Sequence, residues 1–288
     1  MSVKIFCIYH KASRLFESEI FAPIQTGCDG AKFDLGILKD NTGDNISKFN
    51  KNFGELSAWF WVWRNYLPAH PEADYIGFAH YRRFMDIFGA DVDAARPQKD
   101  IALKKFEKIF ESWRGGTPDF KGADILLSNR FTFKNTVLEQ YVGAGHSVAD
   151  YELLAEIVRE KYPEYYPYVG EYFSGHGGYF CLNFVMRREL FDAYMKWAFD
   201  ILFELQRRSD WSGFDGDYAK IRVPAYLIER FFNVWLMYQQ AQKNIKIANK
   251  KCYLLKRDPT FGERLLKPFV KFIPSRKFRH AFRDGFNL

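Results

Sequence analysis

Short apolar runs separated by helical patterns constrain this chain more than any other feature. VKIFCIY (3–9), DYIGFA (74–79), ADILLS (123–128) and GYFCLNFVM (178–186) largely lack the alternation of a strand with one wet face. Such runs read as strands buried on both sides, which requires helices on each face of a sheet. Helical spacing supplies them: Leu56, Trp59, Phe60, Trp63 and Leu67 form one series, and Leu153, Leu154, Ile157 and Val158 a second. Leu190, Tyr194, Trp197, Ile201 and Leu205 form a third, and residues 101–113 and 226–240 add two more helices. Asn52 with Glu55 imitates a capping box at the start of the first series, and Pro68 and Pro71 close it. Residues 21–50 and the tyrosine- and glycine-crowded 162–179 read as loops, and 245–255 as a last strand. The order predicts an α/β sandwich with a mostly parallel central sheet flanked by helices. Ligands of such sheets bind beyond the carboxyl ends of the strands, where His10, His80, Ser128 and Asn129 fall.

Composition narrows the class. With 48% hydrophobic and 19% aromatic residues in 288, the chain can bury a core, so global disorder is excluded. A net charge of +7 and a pI near 9.0 point to anionic partners. Cys7, Cys28, Cys181 and Cys252 are far apart and form no CxxC pair, which argues against a zinc site or disulfide framework and for a reducing compartment. The N-terminal MSVKIFCIYHK has no signal-peptide h-region, and no apolar stretch reaches the roughly 20 residues of a membrane span. A cytoplasmic protein is expected. Residues 264–283 (RLLKPFVKFIPSRKFRHAFR) mix Phe with Lys and Arg and contain no acid, the pattern of a peripheral anchor on anionic lipid. A packed C-terminal helix with a solvated basic face is the alternative.

Four places carry candidate chemistry. HYRR (80–83) ends an apolar strand with an imidazole and two guanidiniums, costly unless an anion meets them. Arg82 and Arg83 can fork around a diphosphate, with His80 adding a donor; otherwise one pairs with Asp74 or Asp86. KDNTGDNIS (39–47) concentrates Asp40, Asn41, Thr42, Asp44 and Asn45 around one glycine, either to hold a ribose or sugar or as an ordinary turn. Glu229 lies at the edge of the apolar face of IERFFNVWL, as a general base or as an acid favoured by the helix dipole. Tyrosines of 162–179 with His176 either stack on sugar or cover the core. No GxGxxG, Walker A, HExxH or GxSxG occurs, and the DVD at 91–93 sits in a polar stretch away from a strand end.

Taken together, DNTGDNIS, ELSAWFWVWRN, DYIGFAHYRRF, LNFVMRRELFDAYMKWAFDILFEL and YLIERFFNVWL resemble a bacterial family of capsular and exopolysaccharide-synthesis proteins. That family is classed by a domain of unknown function and associated with glycosyl transfer, including galactofuranosyl transfer. The resemblance covers roughly residues 4–235. It implies a GT-A-like glycosyltransferase domain over 1–255, followed by the basic tail 256–288. It also implies an inverting hexosyltransferase that uses a UDP-sugar, UDP-galactofuranose being one candidate, and a lipid-linked glycan acceptor for a surface polysaccharide. Metal-dependent members of the wider fold carry a DxD where this chain has His80-Tyr81-Arg82, so no cofactor is expected and a requirement for Mg or Mn is in doubt. On this reading Glu229 deprotonates the acceptor, and His80, Arg82 and Arg83 hold the donor diphosphate. His10 and the 40–45 loop take the nucleotide or sugar, and Tyr165, Tyr172, His176 and Asn183 the acceptor. The protein would then work on the inner face of the plasma membrane. A non-catalytic scaffold of polysaccharide assembly is the alternative. A nucleic-acid partner is not expected, since the acid-free basic cluster sits in the Phe-rich tail while the body is close to neutral.

Overall fold

The central sheet of the computed structural model, which describes residues 1–93, 99–128, 130–210 and 221–256, is built from the continuous apolar runs. β1 (Val3–Tyr9) and β4 (Tyr75–His80) run parallel at its centre. β2 (Phe21–Gln25) and β3 (Leu38–Lys39) extend it in parallel on one side. On the other side β10 (Phe184–Arg187) pairs antiparallel with both β4 and β7 (Ile125–Leu127), and β11 (Ile247–Asn249) continues parallel to β7. The order is β11-β7-β10-β4-β1-β2-β3, mostly parallel with β10 reversed. β5 (Arg83–Met85), β6 (Lys99–Ala102) and β12 (Cys252–Lys256) form an extension joined at the β4–β5 hairpin. β8 (Arg130–Thr132) and β9 (Gly177–Tyr179) pair separately.

Successive side chains of each strand enter opposite layers. Phe6, Ile8, Phe78, Ile125, Leu127 and Phe184 face one core, and Ile5, Cys7, Tyr9, Ala79, Leu126 and Val185 the other. The first layer is closed by α2 (Leu56–Trp61), α5 (Val137–Gly143), α6 (Val148–Lys161), α8 (Arg188–Arg208) and α9 (Val223–Lys243). The second is closed by α4 (Leu103–Trp113) through Phe106, Phe110 and Trp113. All five periodic residues of α8 are buried, so that helix follows from its apolar stripe. Gly77 is required where β4 meets β10, because a Cβ there would stand 2.2 Å from the Phe184 carbonyl oxygen.

Several boundaries differ from the sequence reading. Residues 162–179 are not all loop: α7 (Tyr166–Ser174) packs Val169, Tyr172 and Phe173 into the core. Residues 178–186 do not form one strand, because Cys181 takes a left-handed φ of 52° between β9 and β10. Residues 245–255 divide into β11 and β12. Asn52 and Glu55 form no capping box; the Asn52 amide donates to the Ile221 carbonyl, and Glu55 turns to an arginine. Pro68 does not end its helix, which runs on as α3 (Leu67–Ala69) after a π-turn over Val62–Tyr66. Arg188 then caps the end by donating to the Leu67 and His70 carbonyls. The expected lipid-binding stretch 264–283 and Asn129 lie outside the described residues.

Candidate active site

Beyond the carboxyl ends of β1, β2 and β4 opens a cavity of about 1070 Å³. α1 (Asn50–Phe53), the start of α2 and the first turns of α9 close its sides. His10, His80, Arg82, Arg83 and Glu229 all line it, so five of the residues singled out by sequence meet in one space. They come from three distant stretches of chain, which the parallel crossovers bring to one edge.

HYRR is a hairpin rather than a plain strand end. His80 pairs with Arg83 across a turn made by Tyr81 and Arg82. The two guanidiniums act on different neighbours. Arg82 acts on His10, and Arg83 on Glu229 and His80. Tyr81 is half-buried under His10 and flanked by Lys11 and Arg82 on its ring. Asp74 and Asp86 are engaged elsewhere: Asp74 accepts from the Ser2 N–H at 2.7 Å, and Asp86 from the Gly89 N–H at 2.9 Å. Burial holds both imidazoles below the ordinary histidine value, with Glu55 pulling the other way in each.

Two carboxylates share this cationic space, and their surroundings differ. Glu55 forms an ion pair with Arg222 at 2.7 Å. Burial opposes its ionisation, but His80 and Arg222 reverse the effect and hold its carboxyl below the usual range. Gly54 makes this pair possible: its φ is +57°, and a Cβ would overlap the Arg222 Nη2 at 1.7 Å. Glu229 has Arg230 Nη1 3.9 Å from its Oε2, and accepts the Cys181 N–H on Oε1. Burial raises its carboxyl above the usual range, and Arg230 and the Cys181 N–H only partly offset that. Its side chain keeps 23% exposure, enough to reach the cavity. A carboxylate with raised proton affinity at a cavity wall has the properties of a general base.

The KDNTGDNIS loop does not line the cavity. Asp40 is fully buried behind it and accepts from the Gly27 and Cys28 N–H groups and the hydroxyls of Ser47, Ser57 and Thr26. Asn41 donates to Asp29, Thr42 accepts from the Trp61 indole, and Asp44 pairs with Arg64. Asn45 accepts from the Ser47 N–H. Through Asp40 these groups hold the turn that carries Thr26 and Gly27 to the cavity. The proposed acceptor residues also stand apart from it. Tyr165 is buried against Trp197 and Tyr238 and bonds Gln239, and Tyr172 is core. His176 is exposed at β9, and buried Asn183 donates to the Arg83 carbonyl. The DVD acid Asp91 pairs with buried Lys250 at 2.8 Å. Among the described residues, no group of three or more His, Cys, Asp or Glu is placed to hold a metal ion.

Sequence reading missed Glu55, Arg222 and Tyr226. Arg222, Ala225, Tyr226 and Glu229 recur at i, i+3, i+4 and i+7 on one face of α9 and line the cavity together. The polar members of that series, beside the apolar face, were the available signal. Phe33, Lys32 and Gly27 at the other rim carried none.

The structure resembles that of WbbM, a bifunctional glycosyltransferase solved in its apo form, with a TM-score of 0.73 and 28% identity. The match covers 88% of this chain and 45% of WbbM, so the chain spans less than half of that protein. No curated protein matches. The shared architecture is a GT-A-like fold, a mostly parallel sheet flanked by helices. A family model for a domain of unknown function, DUF4422, matches residues 4–242, the segment that supplies every residue lining the cavity. By that match the chain belongs to the DUF4422 family.

Proposed function

We propose that this protein is a glycosyltransferase of the inverting type, with a nucleotide-sugar donor in the cavity. The observation that carries the reading is the meeting of the HYRR hairpin with Glu229 in one cavity of a GT-A-like fold. Glu229 takes the proton of the acceptor hydroxyl, whose oxygen attacks the anomeric carbon. The bond from that carbon to the diphosphate oxygen breaks, and the charge that develops there is met by Arg82 and Arg83. Glu55 is the poorer base of the two carboxylates, because its ion pair with Arg222 stabilises the ionised form. His10 stands beside Arg82 and contributes a further donor to the nucleotide. With arginines on the leaving group, a divalent cation is not required for that step.

UDP-galactofuranose is the donor we put forward, and a lipid-linked glycan the acceptor, in synthesis of a bacterial surface polysaccharide. The basic, Phe-rich 264–283 stretch supports a peripheral membrane position for such a substrate. Among the described residues no helix is long and apolar enough to cross a membrane.

UDP is expected to raise the melting temperature equally with and without EDTA, and Arg82→Ala to diminish the rise. Strict dependence on manganese would sink the arginine assignment. Release of UDP from UDP-galactofuranose in the presence of a lipid-linked oligosaccharide is expected to fall about 10²- to 10⁴-fold in Glu229→Gln, the range of a lost general base. Full activity in that variant would remove Glu229 from the mechanism.

A further inference from the structure

We propose that Arg230 is a positioning residue for Glu229: a buried cation, locked by neutral partners, that keeps the carboxylate ionised and in place. Resting on the general-base reading above, this adds a residue that does not itself line the cavity.

Arg230 is only 3% exposed. Its guanidinium lies between the rings of Tyr141, at 4.8 Å, and Phe180, at 5.4 Å. Nη1 donates to the Tyr226 carbonyl at 2.9 Å and Nη2 to the Gln140 amide oxygen at 2.7 Å. These partners orient the cation without neutralising it. Burying an uncompensated charge costs several kcal/mol, so a counter-charge is needed. Glu229 Oε2, 3.9 Å from Nη1, is the one carboxylate in ion-pair range among the described residues.

The gap exceeds hydrogen-bonding distance. It gives Glu229 the field of a cation without the direct bond that Glu55 has with Arg222. Oε1 is occupied by the Cys181 N–H, while Oε2 takes no hydrogen bond among the described residues and stays able to accept a proton. The second half of the device is the turn bearing Cys181. Asn233, one helical turn beyond Glu229, accepts from the Tyr179 N–H at 2.7 Å and donates to its carbonyl at 3.0 Å. That fixes the turn against α9 and leaves the left-handed Cys181 to aim its N–H at the carboxylate.

The other groups that face Glu229 are Tyr226 on its own helix, the Cys181 thiol, Glu55 just before α2, Arg83 of β5, Tyr172 of α7 and Tyr194 of α8. Arg83 is the other cation among them, so loss of Arg230 is felt directly. Removing a positive charge favours the protonated carboxyl, so the Glu229 titration moves to higher pH.

The test is ¹³C NMR of the full chain labelled at the glutamate carboxyl carbon, followed across pH, with the Glu229 signal assigned by its loss in Glu229→Gln. In Arg230→Gln, proton binding at Glu229 is expected to tighten about tenfold, and in Arg230→Lys to stay near the wild-type value. Gln140→Ala, which frees Nη2 without removing the charge, is expected to shift it in the same direction by less and serves if Arg230→Gln does not fold. An unchanged Glu229 midpoint in Gln140→Ala and in any folded Arg230→Gln overturns the proposal. Because this readout needs no substrate, it separates the two readings. A shifted midpoint in a chain whose Glu229→Gln variant still transfers sugar leaves Arg230 in its role and removes only the general-base assignment.

Discussion

The HYRR hairpin and the KDNTGDNIS loop are both dense in polar groups, yet they use them in opposite ways. The loop spends its groups on protein partners. Asp40 accepts from two backbone N–H groups and three hydroxyls, and its neighbours bond to Asp29, Trp61 and Arg64. The hairpin turns its groups outward, into a cavity that also holds Lys32 and Lys51. Polar density therefore does not identify a binding site. What distinguishes one is polar groups that line an open cavity at the carboxyl end of a buried strand.

The sharpest way to break this contrast is to remove a member of each set and compare stability with ligand binding. Asp40→Ala takes the acceptor from five donors, of which the Thr26 and Ser57 hydroxyls still reach the Gly54 carbonyl, and is expected to destabilise the fold by about 2 kcal/mol or more in chemical denaturation. A loss below 1 kcal/mol would show that the loop is not a buried scaffold. Arg82→Ala is expected to do the reverse: denaturation within about 0.5 kcal/mol of wild type, but UDP binding weaker by about 10-fold or more in calorimetry, the loss of one charge-assisted hydrogen bond. Unchanged UDP affinity would take the hairpin out of the site.

A smaller effect concerns His80. Burial depresses its imidazole, so the folded state resists protonation more than the unfolded chain does. The unfolded chain then binds more protons as pH falls below about 6.5, and stability present above that pH is progressively lost. His80→Asn is expected to flatten that part of the stability-against-pH curve; an identical slope in the variant would assign it to another group. The smallest effect belongs to the exposed end of the loop. Asn41→Ala breaks one exposed bond to Asp29 and is expected to change stability by under about 0.5 kcal/mol, with UDP binding unaltered. Weakened UDP binding there would return the loop to the ligand site.

The strands and long helices were legible because their signal is local. β1 ends where its apolar run ends, and α8 follows its stripe to within a few residues. Failures came where a residue's partner is remote. The tyrosines of 162–179 looked like a sugar-binding loop, but Tyr165 and Tyr172 had a core to enter. Asn52 and Glu55 had capping spacing, but Ile221 and Arg222 offered better partners from 167 or more residues away. Cys181 broke a strand-like run with no glycine or proline to announce it.

The layers of this protein follow from its residue pattern alone. Side-chain periodicity decides which residues must leave water, and that requirement acts within each segment before any two segments meet. It also marked His10, HYRR and Glu229, because charge at the end of an apolar element is costly wherever the element lies. Long-range contacts alone bring these groups face to face, let Arg222 quiet Glu55 while Arg230 stays 3.9 Å from Glu229, and make Asp40 build the wall instead of lining it. The reason is that electrostatic character depends on distance and burial, and both are set by contacts between residues far apart in the chain.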